Sequence, residues 1–324
     1  MTYRCRICNT KGEGTAYTVR ESMLGTGDPF LYFQCSRCQC LQIAEIPLDM
    51  GKYYPRDYYS FSTSSRERTG NRAAQWFRRI RTRASVGGAG IGYSIIRSLF
   101  PNRKLSALAE VGITRGSRIL DIGCGSGWRL YALREAGFVN TLGIDPFITS
   151  DIAYANGLHI LKRIVQEVEG EWDVIMFHHS FEHIPDQVGT LRATAQRLKP
   201  GGTCLIRIPT VSSYAWEHYR EHWYQIDAPR HYYLHSVQSM EIAARQAGLS
   251  VRSIVYDSTV DQFRGSELCR SGVPLVRGGK SPREQVRAWR AQARVLNRER
   301  RGDQAAFYLQ KDAGGDIGMG SAHT

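Results

Sequence analysis

The stretch that decides the fold is "DIGCGSG", residues 121–127. It follows the apolar run "SRIL" and precedes "WRLYALREAGF", which has helical spacing, so it lies at a strand-to-helix turn where open α/β sheets bind ligands. Its glycines do not fit the dinucleotide pattern G-x-G-x-x-G, because position 128 is Trp128, and no G-K-[ST] follows to make a phosphate-binding loop. The loop instead offers the Asp121 carboxylate and three residues whose missing Cβ lets a ligand lie against the backbone.

The segments that follow alternate between strand and helix patterns. "TLGID" (141–145) is a short second strand, and its last residue, Asp145, is placed to accept the hydroxyls of a ribose. Further on come the strand "WDVIMF", the helix "DQVGTLRATAQRL", the turn "KPGG" and the strand "TCLIRIP". This alternation favours a parallel sheet with helices on both faces. Two late strands, "SVRSIVYDST" and "DQAAFYLQK", fit an edge hairpin that carries a long insertion, residues 260–302.

An acidic glycine loop plus a ribose-binding acid, without a phosphate cradle, indicates a cationic nucleoside ligand. The segments "LDIGCGSG", "GIDP", "FHHSFEHIPD", "LKPGG" and "PRHYYLHS" give residues 105–310 a resemblance to the class I S-adenosylmethionine-dependent methyltransferases. The resemblance implies an α/β fold with a Rossmann-like seven-stranded sheet of order 3-2-1-4-5-7-6 whose last strand is antiparallel. It also implies S-adenosyl-L-methionine as the cofactor. The residues expected to bind this cofactor are Asp121, Gly123, Cys124, Gly125, Gly127, Asp145, Pro146 and His178.

Four of the eight cysteines form two C-x-x-C pairs near the N-terminus. Two such pairs complete a tetrahedral metal site, and a ribbon of about fifty residues has too little core to fold without one. We therefore predict a structural Zn²⁺ bound by Cys5, Cys8, Cys35 and Cys38. Cys40 is an alternative to Cys38 as the fourth ligand, and a redox-active cysteine pair is the alternative to a metal site.

A four-cysteine ribbon, the aromatic connector "KYYPRDYYSF" and a class I domain together resemble bacterial sugar methyltransferases. This resemblance implies an acceptor sugar carried on a nucleotide or a lipid. The longer C-methylating members carry a further C-terminal domain for which this chain has no room, so we expect oxygen as the acceptor atom. The predicted domains are a zinc-binding ribbon (1–50), an aromatic connector with a basic linker or helix (51–104), a methyltransferase domain (105–312) and a disordered tail (313–324).

The segment "HHSFEHIPD", residues 178–186, places three histidines and a glutamate directly behind a predicted buried strand. Methyl transfer to a hydroxyl requires a proton acceptor, and histidine titrates near neutral pH. We predict a catalytic group of four residues, which are His231, His183, Glu182 and His179. The alternatives are imidazoles that only satisfy backbone groups and a metal site built from these histidines.

Within this group, His231 is predicted to be the general base, assisted by Glu182 or His183. It follows the fifth strand, at the position where the resembling sugar enzymes carry a Glu-His pair. Here the preceding residue is Arg230, so the carboxylate that would raise the basicity of the histidine has to come from elsewhere, such as Glu182. The connector tyrosines are expected either to stack on a sugar or base or to pack against the body, and they are Tyr53, Tyr54, Tyr58 and Tyr59.

The net charge of +13 is concentrated in two segments. Residues 66–104 contain ten lysines and arginines against one glutamate, and residues 277–301 contain nine against two. These segments are the candidates for contact with an acidic partner. The composition is that of a soluble globular protein, no apolar run approaches the roughly 20 residues that span a bilayer, and the N-terminus lacks an apolar signal region. We therefore expect a cytoplasmic protein.

The segment "SPREQVRAWRAQARVLNRERR" (281–301) predicts a basic amphipathic helix. Ser281, Pro282 and Glu284 fit a capping box with a first-turn proline. The apolar stripe of this helix is Val286, Trp289, Ala293 and Leu296. We predict that the stripe packs on the catalytic domain while the arginine face helps to hold an acidic acceptor; the alternative is contact with an anionic membrane or RNA.

The sequence therefore predicts an S-adenosylmethionine-dependent methyltransferase of a small molecule or glycan, with O-methylation of a nucleotide- or lipid-linked sugar as the main reading. The alternatives are an RNA methyltransferase with a zinc ribbon, N- or C-methylation of another metabolite, and a non-catalytic protein that keeps the fold. RNA is disfavoured because no recognised RNA-binding module is visible. The sequence makes no prediction of the oligomeric state.

Overall fold

A computed structural model describes residues 3–12, 14–54, 71–102 and 105–311. Tyr58, Tyr59 and the predicted disordered tail lie outside these residues. The strands are β1 (Tyr3–Arg4), β2 (Lys11–Gly12), β3 (Thr15–Arg20), β4 (Pro29–Gln34), β5 (Leu41–Ile43), β6 (Ile119–Ile122), β7 (Thr141–Ile144), β8 (Ile152–Ala153), β9 (His159–Leu161), β10 (Trp172–His178), β11 (Leu198–Pro209), β12 (Tyr233–Leu234), β13 (Leu249–Tyr256) and β14 (Gln304–Lys311). The α-helices are α1 (Arg72–Ser85), α2 (Ile91–Leu99), α3 (Trp128–Glu135), α4 (Gln187–Arg197), α5 (Tyr214–Tyr219), α6 (Val237–Gln246), α7 (Asp261–Arg270) and α8 (Arg283–Arg298).

The central sheet has the strand order β13-β14-β11-β10-β6-β7-β9-β8. Strands β9, β7, β6, β10 and β11 pair in parallel, and β14 pairs antiparallel with both β11 and β13. Numbered along the chain without β8, this is the predicted order 3-2-1-4-5-7-6 with its antiparallel last strand, so the predicted fold class is confirmed. The prediction of seven strands was one short, because the two-residue β8 adds an antiparallel edge strand to β9.

The N-terminal ribbon shares its sheet with the rest of the chain. Its four-stranded sheet has the order β12-β5-β4-β3, and β12 comes from the segment that follows the fifth strand of the central sheet. Tyr32 and Leu41 of the ribbon belong to the same cluster of buried residues as Phe177 on β10. The predicted domain boundaries stay predictions, but the shared strand and core show that the ribbon packs directly on the catalytic segment.

The helix in the insertion packs as predicted but begins differently. Pro282 has ψ 141°, an extended value, so it is the N-cap and α8 begins at Arg283. The predicted capping box is therefore wrong, since Ser281 lies before the N-cap and no side chain caps the helix. The stripe does pack inward: Ala293 and Leu296 are buried, and the Trp289 ring stacks on Phe263 with 6.1 Å between centroids.

Residues 71–102, which fall within the predicted connector and basic linker or helix (51–104), form two regular helices. Asn71 caps α1, with its side chain accepting a hydrogen bond from Ala74 N at 2.9 Å. The turn "GGAGI" leads into α2, which packs against α1, and the Phe77 and Phe100 rings meet edge to face at 5.2 Å. Within the described part of the chain, none of the helices is long and apolar enough to cross a membrane.

Candidate active site

The carboxyl ends of the parallel strands open into a cavity of about 1570 Å³. Small-molecule sites typically occupy about 300–1000 Å³, so this cavity has room for two ligands. It is lined by the glycine loop, by the loop after β10 and by α1. Six of the eight predicted cofactor-binding residues line it, which are Gly123, Cys124, Gly125, Asp145, Pro146 and His178.

The glycine loop depends on two glycines for its shape. Gly123 has φ +68°, and a Cβ there would lie 2.4 Å from the Ser180 Cβ. Gly127 has φ +72°, and a Cβ there would lie 2.3 Å from the Ile160 side chain. Any other residue at either position would be strained and would clash, so the sharp turn between β6 and α3 requires both glycines.

Asp121, at the end of β6, is a buried carboxylate whose two oxygens have no hydrogen-bond partner among the described residues. It does not itself line the cavity, but Arg129 does, and Arg129 Nη1 lies 3.7 Å from Asp121 Oδ2. Burial raises the pKa of Asp121 to about 7, with Arg129 opposing and Asp145 adding to the rise. A buried carboxylate in this state is suited to a positively charged ligand.

Asp145 is held in a fixed orientation at the end of β7. Its Oδ2 accepts a hydrogen bond from Gly125 N at 2.8 Å, and its Oδ1 accepts one from Phe147 N at 2.9 Å. Burial raises the pKa of Asp145, although these two backbone donors lower it. Each carboxylate oxygen keeps a second lone pair for a ligand hydroxyl, which fits the predicted ribose contact.

His178 and His179 begin the loop after β10, and both are engaged by arginines. His178 Nδ1 accepts a hydrogen bond from Arg129 Nη2 at 2.8 Å, and burial together with that charge holds the pKa of His178 well below its usual range. His179 Nε2 accepts from Arg207 Nη1 at 2.5 Å, which leaves the Nδ1 proton facing Glu182 Oε1 at 3.4 Å. Since an arginine already occupies the acceptor nitrogen of each ring, neither is free to accept a substrate proton.

Glu182 lies at the centre of the histidine group and is fully buried. Neither of its oxygens has a hydrogen bond of good geometry among the described residues, and His231 Nε2 lies 3.9 Å from Oε1. Burial opposes its ionisation, but the contact from His179 and the charges of His231 and His183 lower the pKa of Glu182 to about 2. Glu182 is therefore an ionised carboxylate beside three imidazoles.

His183 is the member of the group that lines the cavity without an arginine on its ring. Its Nδ1 donates to the Arg230 carbonyl at 2.8 Å, so Nε2 carries a lone pair in the neutral ring. Burial and the neighbouring His231 lower the pKa of His183, which keeps the ring neutral near pH 7. These features are those of a general base.

His231 lies behind His183, with 4.7 Å between ring centroids, and is not among the residues that line the cavity. Its Nδ1 donates to the Gln225 carbonyl at 2.7 Å. Two carboxylates lie near His231 although the residue before it is not acidic. Glu182 Oε1 lies 3.9 Å and Asp227 Oδ2 lies 3.8 Å from His231 Nε2. The role predicted for His231 stays a prediction, and its position favours support of His183.

The same group also has the geometry of a metal site, which was the alternative reading of the histidines. One ligand atom from each of Glu182, His183 and His231 can be chosen so that all lie within 4.8 Å of one another. Two imidazoles and a carboxylate are ligands that several transition metals accept. The group can therefore serve as a proton acceptor or as a ligand set.

Arg230, which replaces the glutamate of the resembling enzymes, is fully buried and ties the ribbon to the active site. Its Nη2 donates to Glu21 Oε1 of the ribbon at 2.9 Å and to Asp227 Oδ1 at 2.6 Å. Its backbone carbonyl is the acceptor for His183. Arg230, which stands where an acidic residue was expected, therefore fixes the loop that orients the histidines.

We expect Arg230→Met to lower the free energy of unfolding by about 3–5 kcal/mol, because it leaves the buried Glu21 carboxylate and the largely buried Asp227 carboxylate without their cation. Denaturant unfolding of the full chain measures this. Arg270→Met is the control, because it removes a partly exposed ion pair with Glu267 and should change stability little. Equal losses in the two variants would contradict a buried anchor at Arg230.

The four predicted zinc ligands come together in the ribbon. The Sγ atoms of Cys5, Cys8, Cys35 and Cys38 lie within 4.8 Å of one another, and all eight cysteines are free thiols. Both C-x-x-C turns have the same backbone, with Asn9 at φ +59° and Gln39 at φ +60°. Cys40, the alternative ligand, is buried outside the cluster, with its Sγ directed to the Leu41 carbonyl.

The connector tyrosines divide between the two expected roles. Tyr53 is buried, donates to Asp28 Oδ2 at 2.9 Å and packs edge to face on Phe30. Tyr54 lines the cavity, where its ring stacks on Phe147 at 6.5 Å and its hydroxyl lies 3.3 Å from His183 Nδ1. Of the two connector tyrosines that the structure describes, Tyr54 is therefore the one placed to contact a ligand.

Sequence reasoning missed the charged residues that organise the site, which are Glu21, Arg129, Arg207 and Asp227. Asp227 carried one signal, since it lies four residues before His231 in "DAPRH" (227–231). Arg129 and Arg207 lie far along the chain from the histidines that they contact, as Glu21 does from Arg230, and no local pattern marks them. None of the α8 arginines lines the cavity; the arginines that do are Arg78, Arg79, Arg81, Arg129, Arg163 and Arg207. The predicted contact between α8 and an acidic acceptor is not supported by this placement.

The chain is similar in sequence to known methyltransferases. A family model described as "Methyltransferase domain" matches residues 93–254, which is half of the chain. A ubiquinone biosynthesis O-methyltransferase from Bordetella avium is 32% identical over 155 residues, covering 43% of this chain and 64% of the relative. A protein of the same name from Escherichia coli is 29% identical over 124 residues, covering 35% of this chain and 52% of the relative. The matches thus span about half to two thirds of these relatives.

Among solved structures, an S-adenosylmethionine-dependent methyltransferase from Mesorhizobium loti superposes with a TM-score of 0.44 at 15% sequence identity. The superposition covers 65% of this chain and 98% of that one. At this score the strand order and the family match, rather than the superposition, define the fold.

Proposed function

The chain belongs to the methyltransferase domain family, within the class I S-adenosylmethionine-dependent methyltransferases, and from this premise we propose that it methylates an acceptor hydroxyl with His183 as the proton acceptor. The observation that carries the proposal is the state of the His183 ring. It lines the cavity, its Nδ1 proton is held by the Arg230 carbonyl, and its pKa is lowered, so its other nitrogen is a free base.

The residues around the glycine loop fit S-adenosylmethionine. The Asp145 carboxylate is oriented for the ribose hydroxyls, and the buried Asp121 carboxylate, which accepts no hydrogen bond from the described residues, favours a ligand with a positive charge. When bound, this cofactor supplies a methyl group on a sulfonium, which is electrophilic without further activation. The contribution of the chain is then to position the acceptor and to remove its proton.

In this mechanism His183 accepts the proton of the hydroxyl as the oxygen becomes nucleophilic. The positive charge that forms on the ring is stabilised by the ionised Glu182, which is buried in the same group of histidines. The Arg230 carbonyl orients the ring by accepting the hydrogen bond from its Nδ1. The Arg230 side chain is in turn fixed by its ion pair with Glu21 of the ribbon. A base placed in this way contributes a factor of about 10² to 10⁴ to the rate.

For the acceptor, we propose a sugar hydroxyl carried on a diphosphate, linked to a nucleotide or a lipid. The cavity supports this through its arginines, of which Arg78 and Arg163 form no ion pair among the described residues. Guanidinium groups bind phosphate oxygens by charge and by paired hydrogen bonds. A phenolic hydroxyl is a second candidate, because the relatives are named ubiquinone biosynthesis O-methyltransferases.

We also propose that the cysteine cluster holds structural Zn²⁺. Tetrahedral zinc with Zn–S bonds of about 2.3 Å separates its sulfur ligands by about 3.8 Å. The Sγ atoms of Cys5 and Cys38 lie 3.5 Å apart, and those of Cys8 and Cys35 lie 3.6 Å apart. Free thiols throughout also support a reducing, cytoplasmic compartment.

Binding of S-adenosylmethionine should weaken as the pH falls below about 7. In the free protein the pKa of Asp121 is raised to about 7, so below that pH its carboxyl is protonated and no longer attracts a cation. The dissociation constant should rise by up to about tenfold for each pH unit below this pKa. Calorimetry between pH 5.5 and 8.5 measures it, with Asp121→Asn expected to bind weakly at every pH. A wild-type dissociation constant that does not change with pH would show that Asp121 does not contribute to cofactor binding.

The proposed reaction is tested by incubating the full chain with S-adenosylmethionine labelled in its methyl group and with pools of nucleotide sugars, lipid-linked glycans, phenols and RNA. Mass spectrometry then identifies the compound that takes up the label. We expect a labelled sugar compound, and label in a phenol would select the second candidate. Label confined to RNA would contradict the proposal.

A further inference from the structure

Helices α1 and α2 form a hairpin, residues 71–102, that exposes an unusual amount of apolar surface. Its large exposed apolar side chains are Trp76, Phe77, Ile91, Ile95, Leu99 and Phe100. Helix α2 buries none of its residues, and Ile91, Ile95 and Leu99, spaced by four, are 82%, 53% and 67% exposed. Contiguous apolar patches of this kind mark surfaces that bind a partner.

The charge of the hairpin identifies that partner as anionic. Residues 71–102 contain six arginines and no acidic residue. Arg72 and Arg97 are exposed, and neither forms an ion pair among the described residues. An apolar helix face flanked by arginines binds the interface of an anionic bilayer, where lipid tails take the apolar side chains and headgroups take the cations.

The other possible occupants fit less well. A second copy of this chain would bring two hairpins with six arginines each together, and their charges would repel. Helix α8, the sequence's candidate for membrane contact, has its apolar stripe packed inside the protein. Helix α1 lies before residue 93, where the family match begins, whereas most of α2 lies within the match.

The hairpin forms part of the wall of the active-site cavity. Gln75, Arg78 and Thr82 of α1 line the cavity, as do Pro101 and Asn102 directly after α2. We propose that the hairpin is a lipid-binding surface that holds the chain on anionic membranes, with the cavity opening next to the bilayer. This inference does not depend on the chemistry proposed for His183.

The test is co-sedimentation of the full chain with vesicles of phosphatidylglycerol and phosphatidylcholine in equal amounts, and with vesicles of phosphatidylcholine alone. We expect binding to the anionic vesicles that weakens as salt is added, because part of the attraction is electrostatic. The triple variant Ile91→Gln, Ile95→Gln, Leu99→Gln should lower the partition coefficient by at least about tenfold, since it removes the inserted aliphatic side chains.

The matched control is Leu48→Gln, Val139→Gln, Val276→Gln, which removes three exposed apolar side chains outside the hairpin and should bind as the wild type does. Because all six positions are exposed, both variants should fold. Equal vesicle binding by both triple variants would overturn the proposal. So would a wild type that binds RNA but no vesicles, or one that forms a dimer by sedimentation that only the hairpin variant dissociates.

Discussion

With Zn²⁺ held by the four cysteines as proposed, replacing Cys8 with serine is expected to remove the metal and to unfold the ribbon, and with it the active site. Structural zinc contributes about 10–16 kcal/mol to the folding of small metal-binding modules, so this is the largest effect that the structure predicts. The loss of structure in the ribbon should extend to the active site, because β5 of the ribbon pairs with β12, and Tyr32 donates a hydrogen bond to the His231 carbonyl at 2.9 Å. Elemental analysis, thermal unfolding and methyl transfer measure the three consequences.

The control for this substitution is Cys269→Ser, which replaces a half-buried thiol outside the cluster. It should keep one zinc per chain and near-normal activity. Wild-type protein purified without chelator that contains no zinc would contradict the prediction. A Cys8→Ser protein that still holds one zinc would do the same.

Replacing His183 with alanine is expected to lower the turnover rate by about 10² to 10⁴-fold while the affinity for S-adenosylmethionine stays within about twofold. The reason is that His183 acts on the acceptor proton, whereas the cofactor is held by the glycine loop and Asp145. A base is active when deprotonated, so the wild-type rate should rise with pH through the pKa of His183. Burial lowers that pKa, so the rate should level off by about neutral pH.

The exposed His222 supplies the control, because His222→Ala removes an imidazole far from any predicted role and should leave the rate unchanged. His231→Ala is the informative comparison. A smaller loss than in His183→Ala agrees with His231 supporting the base. Near-normal turnover in His183→Ala together with a large loss in His231→Ala would show that His231 is the base, as the sequence alone suggested.

The sheet could be predicted from the sequence because each parallel strand carries its own local pattern. "RILDI", "LGID" and "DVIMF" are short apolar runs that end in, or are followed directly by, a polar or glycine residue. The order of the strands was implied by the resemblance to the class I methyltransferases. The glycine loop was equally readable, since the left-handed turns at Gly123 and Gly127 admit no other residue. The C-x-x-C pairs predicted the cysteine cluster for the same reason, as each pair is one local turn.

The contacts that orient the site could not be predicted, because they join residues far apart in sequence. Glu21 reaches Arg230 across 209 positions, and β12 joins the sheet of the ribbon from a distant part of the sequence. The roles of the histidines depend on what each ring nitrogen contacts, which spacing does not encode. His183 and His179 look equivalent in "HHSFEH", yet an arginine occupies one ring and a backbone carbonyl leaves the other free to accept a proton.

The position of the transferred methyl group tests the central claim most directly. The product formed from S-adenosylmethionine labelled with ¹³C in its methyl group is isolated, and its NMR spectrum shows which atom carries the label. We predict a methoxy group, formed by the wild type and nearly lost in His183→Ala, with one S-adenosylhomocysteine released for each methyl transferred. A label on carbon or nitrogen, or O-methylation at an equal rate in the two proteins, would contradict a hydroxyl acceptor activated by His183.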